Sequence, residues 1–260
     1  MKLRIFQVDA FTDHLFHGNP AAVCPLETWL SDELMQQIAM ENNLAETAFF
    51  VKRGDRFEIR WFTPKVEVDL CGHATLATAF VIFEFEGFRR PVIEFDSRSG
   101  PLQAARDQDF ITLDFPSDPP VEVPAPEGLS AALRSKPAGV YRGKSDYMLT
   151  YAGTSEIESL KPDMRLLSEI SCRGVIVTAP GVESDFVSRF FAPQSGIDED
   201  PVTGSAHTTL VPYWAARLGR NELTAQQLSA RRGWLRCRLA GDRVKISGQA
   251  RAYMSGEISL

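Results

Sequence analysis

Two segments of this chain have helical spacing and clean stops but almost no polar face. The first, Gly72–Phe85, carries Ala74, Leu76, Ala77, Ala79, Phe80, Val81, Ile82 and Phe83 and is closed by Gly87. The second, residues 205–218, presents Leu210, Val211, Tyr213, Trp214, Ala215, Ala216 and Leu218 before Gly219, with Pro212 predicting a kink. A helix that is apolar on nearly every side is buried on every side. Strand-like alternation covers much of the rest, at 3–10, 46–52, 57–62, 92–95, 110–115, 147–151, 174–178, 186–191, 235–239 and 243–246. One further helix, over Asp32–Asn42, is capped by Ser31, has Asp32 and Glu33 in its first turn and stops at Asn42-Asn43. The combination predicts sheets wrapped around each of the two buried helices.

Both helices belong to an internal repeat. Arg60-Trp61-Phe62-Thr63-Pro64 resembles Arg189-Phe190-Phe191-Ala192-Pro193, 129 positions later, and Gly72-His73-Ala74 resembles Gly204-Ser205-Ala206, 132 positions later. A three-residue insertion reconciles the two registers. The 260 residues therefore predict a duplicated unit of about 130 residues. The expected division is an N-terminal half over 1–116, a Pro-rich linker over 117–126, and a C-terminal half over 127–260 whose last strand can pack back on the N-terminal half.

With 28 Lys+Arg against 34 Asp+Glu, the chain has a formal charge of −6. Nucleic acid is thereby disfavoured as a partner, because phosphate binding needs a basic excess gathered on one face. Arg89-Arg90 and Arg231-Arg232 are isolated pairs. The first ten residues alternate like a strand and lack the apolar core of a signal peptide, and the longest apolar stretch, 77–83, is far too short to span a bilayer. No membrane partner is expected. Cys24, Cys71, Cys172 and Cys237 are scattered without a C-x-x-C pair, so no zinc site or disulfide framework is indicated and a reducing, cytoplasmic setting is expected. Asp198, Asp200 and His207 lack the spacing of a metal motif, and no Gly-rich nucleotide-binding fingerprint is present.

The candidate chemistry gathers at the starts of the two apolar helices. A helix opening on Gly and small residues offers unpaired N–H groups to a carboxylate or phosphate, and Gly72 and Gly204 each open one. For either glycine alone a tight-turn residue is the preferred reading; their pairing by the repeat favours an anion site. Nearby groups able to move protons are Glu46, His73, Asp200 and His207. Glu46 stands out, because strand alternation sets it on one face with Leu44, Ala48 and Phe50, and burial there would suit it to general acid/base work. A carboxylate on a solvent-facing edge strand, or one tied to an arginine, would give the same pattern. Asp200 could instead cap its helix, as Asp198 and Glu199 are expected to do, and His73 and His207 could be core histidines. Ser205 as a nucleophile would need a base beside it, and His207 lies on another helix face.

Four segments resemble the phenazine-biosynthesis isomerase-like (PhzF-like) family: His17-Gly18-Asn19-Pro20-Ala21-Ala22-Val23, Asn43-Leu44-Ala45-Glu46-Thr47-Ala48-Phe49, Arg60-Trp61-Phe62-Thr63-Pro64 with Leu70-Cys71-Gly72-His73-Ala74-Thr75, and Arg189-Phe190-Phe191-Ala192-Pro193 with 199–207. The resemblance implies an α+β, diaminopimelate-epimerase-like fold. This has two similar domains, each a curved, mostly antiparallel sheet rolled around a buried central helix, with the active site between them. It further implies a cofactor-independent isomerase acting on a small anionic, carboxylate-bearing substrate, and a homodimer. The founding activity, in phenazine biosynthesis, converts trans-2,3-dihydro-3-hydroxyanthranilate to its ketone isomer as a glutamate moves a proton along the ring. Glu46 would be that shuttle, His73 and Asp200 would hydrogen-bond the substrate, and Gly72, Gly204 and Ser205 would bind its polar groups. Racemases and epimerases of the same fold use a cysteine before each helix glycine. Here Cys71 precedes Gly72 but Thr203 precedes Gly204. A hydroxyl cannot replace a thiolate as second base, so two-thiol racemisation is disfavoured and Cys71 reads as a small buried residue. The alternatives kept open are a racemase using Glu46 with another base and a non-catalytic small-molecule-binding protein. Substrate specificity is expected in the loops 96–101 and 139–146.

Overall fold

The computed structural model describes residues 1–260. The chain divides into two compact units, one formed by Met1–Asp114 with Ser247–Leu260 and the other by Phe115–Ile246. The first contains strands β1 (Lys2–Ala10) and β2 (Asn19–Leu26), helix α1 (Asp32–Asn42), strands β3 (Glu46–Arg53), β4 (Arg56–Phe62) and β5 (Glu67–Val68), and helix α2 (Gly72–Phe85). It continues with β6 (Val92–Ser97), β7 (Gly100–Asp107) and β8 (Phe110–Pro116), within which the chain passes to the second unit. There follow β9 (Val121–Glu122), α3 (Leu129–Leu133), β10 (Gly139–Arg142), β11 (Asp146–Thr150), α4 (Thr154–Ser159), α5 (Met164–Leu167), β12 (Gly174–Pro180) and β13 (Phe186–Phe191). Helix α6 (Gly204–Leu218) and strands β14 (Glu222–Gln227), β15 (Gly233–Ala240) and β16 (Arg243–Gly248) complete it, and β17 (Ala250–Ser259) returns to the first.

Each unit repeats one strand program. In the first, β2–β3 is parallel, β3–β4 antiparallel, β4–β6 parallel and β6–β7 antiparallel. In the second, β11–β12, β12–β13, β13–β14 and β14–β15 follow the same sequence of directions. Helix α2 packs on β1, β2, β3, β7 and β17, and its Leu76, Ala77, Val81 and Ile82 are wholly buried. Helix α6 packs on β11, β14 and β15. Its Trp214 stacks on Phe186 at 5.7 Å and donates to Thr178 Oγ1 at 3.0 Å, which satisfies the one polar atom of a buried indole. The far face of each sheet is covered differently. In the first unit α1 supplies Met35, Ile38 and Ala39 to a core with Phe49, Val51 and Phe62. In the second, Leu129, Leu133, Ile157 and Leu167 of the short helices α3, α4 and α5 do this work.

The duplication extends to side-chain contacts. Arg60 is bidentate to Glu67 at 2.7 and 2.8 Å and lies over Phe62; Arg189 is bidentate to Glu199 at the same two distances and lies over Phe191. The arginines and rings are 129 positions apart and the glutamates 132, so the three-residue insertion falls between Phe191 and Glu199, where a 3-10 turn at Pro193–Ser195 stands.

The C-terminal 14 residues, Ser247–Leu260, count with the first unit, because β17 pairs antiparallel with β1 from Lys2 to Ala10. Several expectations are corrected. The stretch 117–126 lies inside the second unit, where Val121-Glu122 pairs with β10. Residues 139–146 are not one loop, since β10 occupies Gly139–Arg142 and Asp146 opens β11. Asn19-Pro20 begins β2, and β2–β3 pairing starts only at Ala21, so the missing N–H of Pro20 costs no bond to β3. Leu44 packs with Phe49 and Val51, on the face opposite Ala48 and Phe50, because it precedes β3 and follows Asn43 in the left-handed conformation. Helix α6 continues through Pro212. The Thr208 carbonyl, which a proline four residues on cannot serve, accepts the Asp118 N–H at 3.0 Å.

Candidate active site

In the first unit, Glu46 begins β3 and His73 lies in the first turn of α2. His73 Nε2 is 3.1 Å from Glu46 Oε2, with side chains 6% and 12% exposed, although the two atoms lack the alignment of a hydrogen bond. On the other ring edge, Nδ1 lies 3.2 Å from Asn19 Nδ2 and 3.5 Å from Cys71 Sγ. Asn19 is delivered there by Gly18, whose φ of +66° belongs to glycine and where a Cβ would stand 2.1 Å from the Ala10 carbonyl oxygen. Burial of His73 opposes the imidazolium, but the Cys71 sulfur and the Glu46 carboxylate beside it hold its pKa well above the ordinary value. Burial, reinforced by Glu46, pushes the Cys71 thiol up to about 11. One donor each from Glu46, Cys71 and His73 lies within 4.8 Å of the others, a set that could converge on a soft divalent ion if the thiol were deprotonated.

The second unit places Asp200, Thr203, Gly204 and Ser205 at the start of α6. Thr203 Oγ1 donates to Asp200 Oδ2 at 2.5 Å. Neither α2 nor α6 has a side-chain cap, which leaves the amides of both first turns to other acceptors. Glu199, expected as a capping acid, is instead committed to Arg189. Ser205 Oγ accepts from Arg173 at 3.0 Å, and Arg173 is held by a bidentate pair with the buried Asp146. His207 is wholly buried. Its Nδ1 donates to the Thr203 carbonyl at 2.8 Å, the contact that Thr75 Oγ1 makes to the Cys71 carbonyl, 132 positions earlier, at 2.5 Å. It thus braces the helix entrance.

Burial depresses His207 to a pKa of about 4, against the opposing hydrogen bond to Thr203. The unfolded chain, with an ordinary histidine, takes up a proton near pH 6.5 that the folded protein refuses until about pH 4. His207 therefore contributes its full stability above pH 6.5 and loses it as pH falls. The loss reaches roughly 3 kcal/mol for the 2.5-unit gap between 6.5 and about 4. Urea titrations at pH 7 and pH 4.5 are expected to show this fall in the wild type and a smaller one in His207→Gln.

The sequence profile of the phenazine biosynthesis-like protein family matches residues 8–256. An uncharacterized isomerase of Pseudomonas aeruginosa is 53% identical over 260 residues, with all of both chains covered. The chain belongs to the phenazine biosynthesis-like (PhzF-like) family. A crystal structure of a PhzF-family protein from Enterococcus faecalis matches with a TM-score of 0.98 at 45% identity, again over all of both chains. A predicted epimerase of Pseudomonas aeruginosa, 18% identical with a TM-score of 0.76 and 99% of each chain covered, shares the α+β epimerase-like fold. The PhzF-like chain has no helix long and apolar enough to cross a membrane.

Sequence reasoning singled out Glu46, His73, Gly72, Asp200, Gly204 and Ser205. It passed over Asn19, Asp146, Arg173 and Gln227. Asn19 lay within a quoted motif but carries no charge to draw attention, and the others sit in strands or turns without a periodic or motif signal.

Proposed function

We propose that this PhzF-like isomerase moves a proton between two carbons of a small carboxylate-bearing substrate, with Glu46 as the acid/base. The observation that carries the reading is the 3.1 Å approach of the nearly buried Glu46 carboxylate to His73, whose pKa is raised. Glu46 takes a proton from a C–H bond, the electron pair shifts along the conjugated system, and Glu46–H returns the proton to another carbon. Reactant and product then have the same formula, and no cofactor is consumed. The His73 imidazolium supplies a counter-charge and a donor to the substrate. Asp200, Ser205 and the amides opened by Gly72 and Gly204 hydrogen-bond its polar groups.

The test offers trans-2,3-dihydro-3-hydroxyanthranilate and related small carboxylates in heavy water and follows deuterium incorporation by NMR. Exchange at carbon is expected in the wild type, with Asp200→Asn slowed about 10²-fold or more. Absence of exchange across the whole panel, with ligand binding retained, would transfer the chain to the small-molecule-binding class. Inversion at the exchanging stereocentre, abolished in Cys71→Ala, would make it a racemase instead.

A further inference from the structure

The buried amide of Gln227, at the end of β14, makes all of its hydrogen bonds to one short segment, Asp200–Thr203. Its Oε1 accepts the Thr203 N–H at 2.9 Å, and its Nε2 donates to the Asp200 carbonyl at 2.7 Å and to Thr203 Oγ1 at 3.2 Å. Gln227 is 0% exposed. The orientation of the amide is set by chemistry, because a backbone N–H can only donate and a backbone carbonyl can only accept. The atom facing Thr203 N is therefore oxygen and the atom facing Asp200 O is nitrogen. The second N–H of that nitrogen reaches the Thr203 hydroxyl oxygen, so the hydroxyl must send its own proton elsewhere. It goes to Asp200 Oδ2, 2.5 Å away.

We infer that Gln227 is the positioning residue of Asp200. It fixes the backbone on both sides of Pro201-Val202 and, through the Thr203 hydroxyl, fixes which way the Asp200 carboxylate turns. The segment has further anchors in Ser229, which donates to the Pro201 carbonyl at 2.8 Å, in His207 on the Thr203 carbonyl, and in the Asp200 N–H, which donates to the Phe190 carbonyl at 3.0 Å. The same contacts hold the peptide that opens α6, so the amides of Gly204 and Ser205 are set with the carboxylate. This inference rests on the reading of Asp200 as a substrate-facing group, and its test separates the two.

Gln227→Leu removes all three bonds at similar volume. Gln227→Glu keeps the acceptor for Thr203 N–H but, when ionised, loses both donors. The decisive measurement is the pH titration of the Asp200 carboxyl carbon by ¹³C NMR in the full-length protein without substrate, together with amide exchange at Thr203. Both variants are expected to raise the Asp200 midpoint, since the Thr203 hydroxyl is no longer committed to it. Thr203 amide exchange should accelerate at least tenfold in Gln227→Leu and much less in Gln227→Glu. With the dihydrohydroxyanthranilate probe, kcat should fall at least tenfold in both variants while KM moves less than threefold. An unmoved Asp200 titration in a folded Gln227→Glu protein overturns the inference, whatever the turnover. If instead the titration moves as expected but Asp200→Asn turns over normally, Gln227 keeps its positioning role and only the catalytic reading of Asp200 falls.

Discussion

Glu46→Gln is expected to lower the rate of carbon-bound deuterium exchange by about 10²- to 10⁴-fold, the range a positioned general acid/base supplies, while leaving the fold and ligand affinity in place. The substitution replaces one carboxylate oxygen by an amide of nearly the same size. Ala48 and Phe50 on the same strand, and Ala21 opposite Glu46 on β2, do not depend on its charge. The amide can neither take up nor return a proton at carbon, so the loss should appear in kcat and not in KM. The change also takes away the carboxylate facing His73 Nε2, and the ¹H–¹⁵N resonances of that ring should titrate at lower pH in the variant than in the wild type. A variant that exchanges deuterium at the wild-type rate would remove Glu46 from the reaction.

The largest effect on stability is expected at Arg189. Its side chain is 13% exposed, and its guanidinium is bidentate to Glu199 and also donates to the carbonyls of Ile157 and Leu160 at 3.0 and 2.9 Å. It ties the end of α4 to β13 and to the segment entering Asp200. Arg189→Met keeps much of the packing over Phe191 but strands a partly buried carboxylate and two carbonyls, for an expected loss of about 3–5 kcal/mol. Arg189→Lys should recover only part of this, because an ammonium cannot reproduce the forked geometry. Urea midpoints at pH 7 check both. The counterpart Arg60→Met should cost less, because Glu67 retains a second partner in Arg98 at 2.7 Å.

The bounds of α1 and α2 were legible because punctuation residues mark them. Ser31 caps α1 and Asn43 ends it in the left-handed conformation, and Gly72 opens α2. β17 was not legible, since most of its residues are exposed and its sequence does not alternate; its long pairing to β1 makes it a strand. At the site, charged or ring-bearing residues announced themselves, whereas Gln227 and Asn19 did not. An amide has no formal charge and no preferred period, and its importance follows from which donors and acceptors the fold sets around it. The Cys71–His73 contact was equally hidden, because residues two apart do not meet on a regular helix face; they meet here only because Cys71 lies outside the first turn, in extended conformation.

The return of Ala250–Ser259 to β1 also bears on how the protein is made. When residues 1–114 have left the ribosome, one side of β1 is matched by β2 and the other still awaits Ala250–Ser259, which is translated only after the whole second unit. At ~5–20 residues per second, synthesis of the intervening segment takes on the order of ten seconds. Over that interval the nascent N-terminal portion carries an open strand edge of the kind that recruits other chains. The second unit, contiguous from Phe115 to Ile246, has no such wait. The part of the protein translated first is therefore the last to be finished, and chaperone demand should concentrate on it.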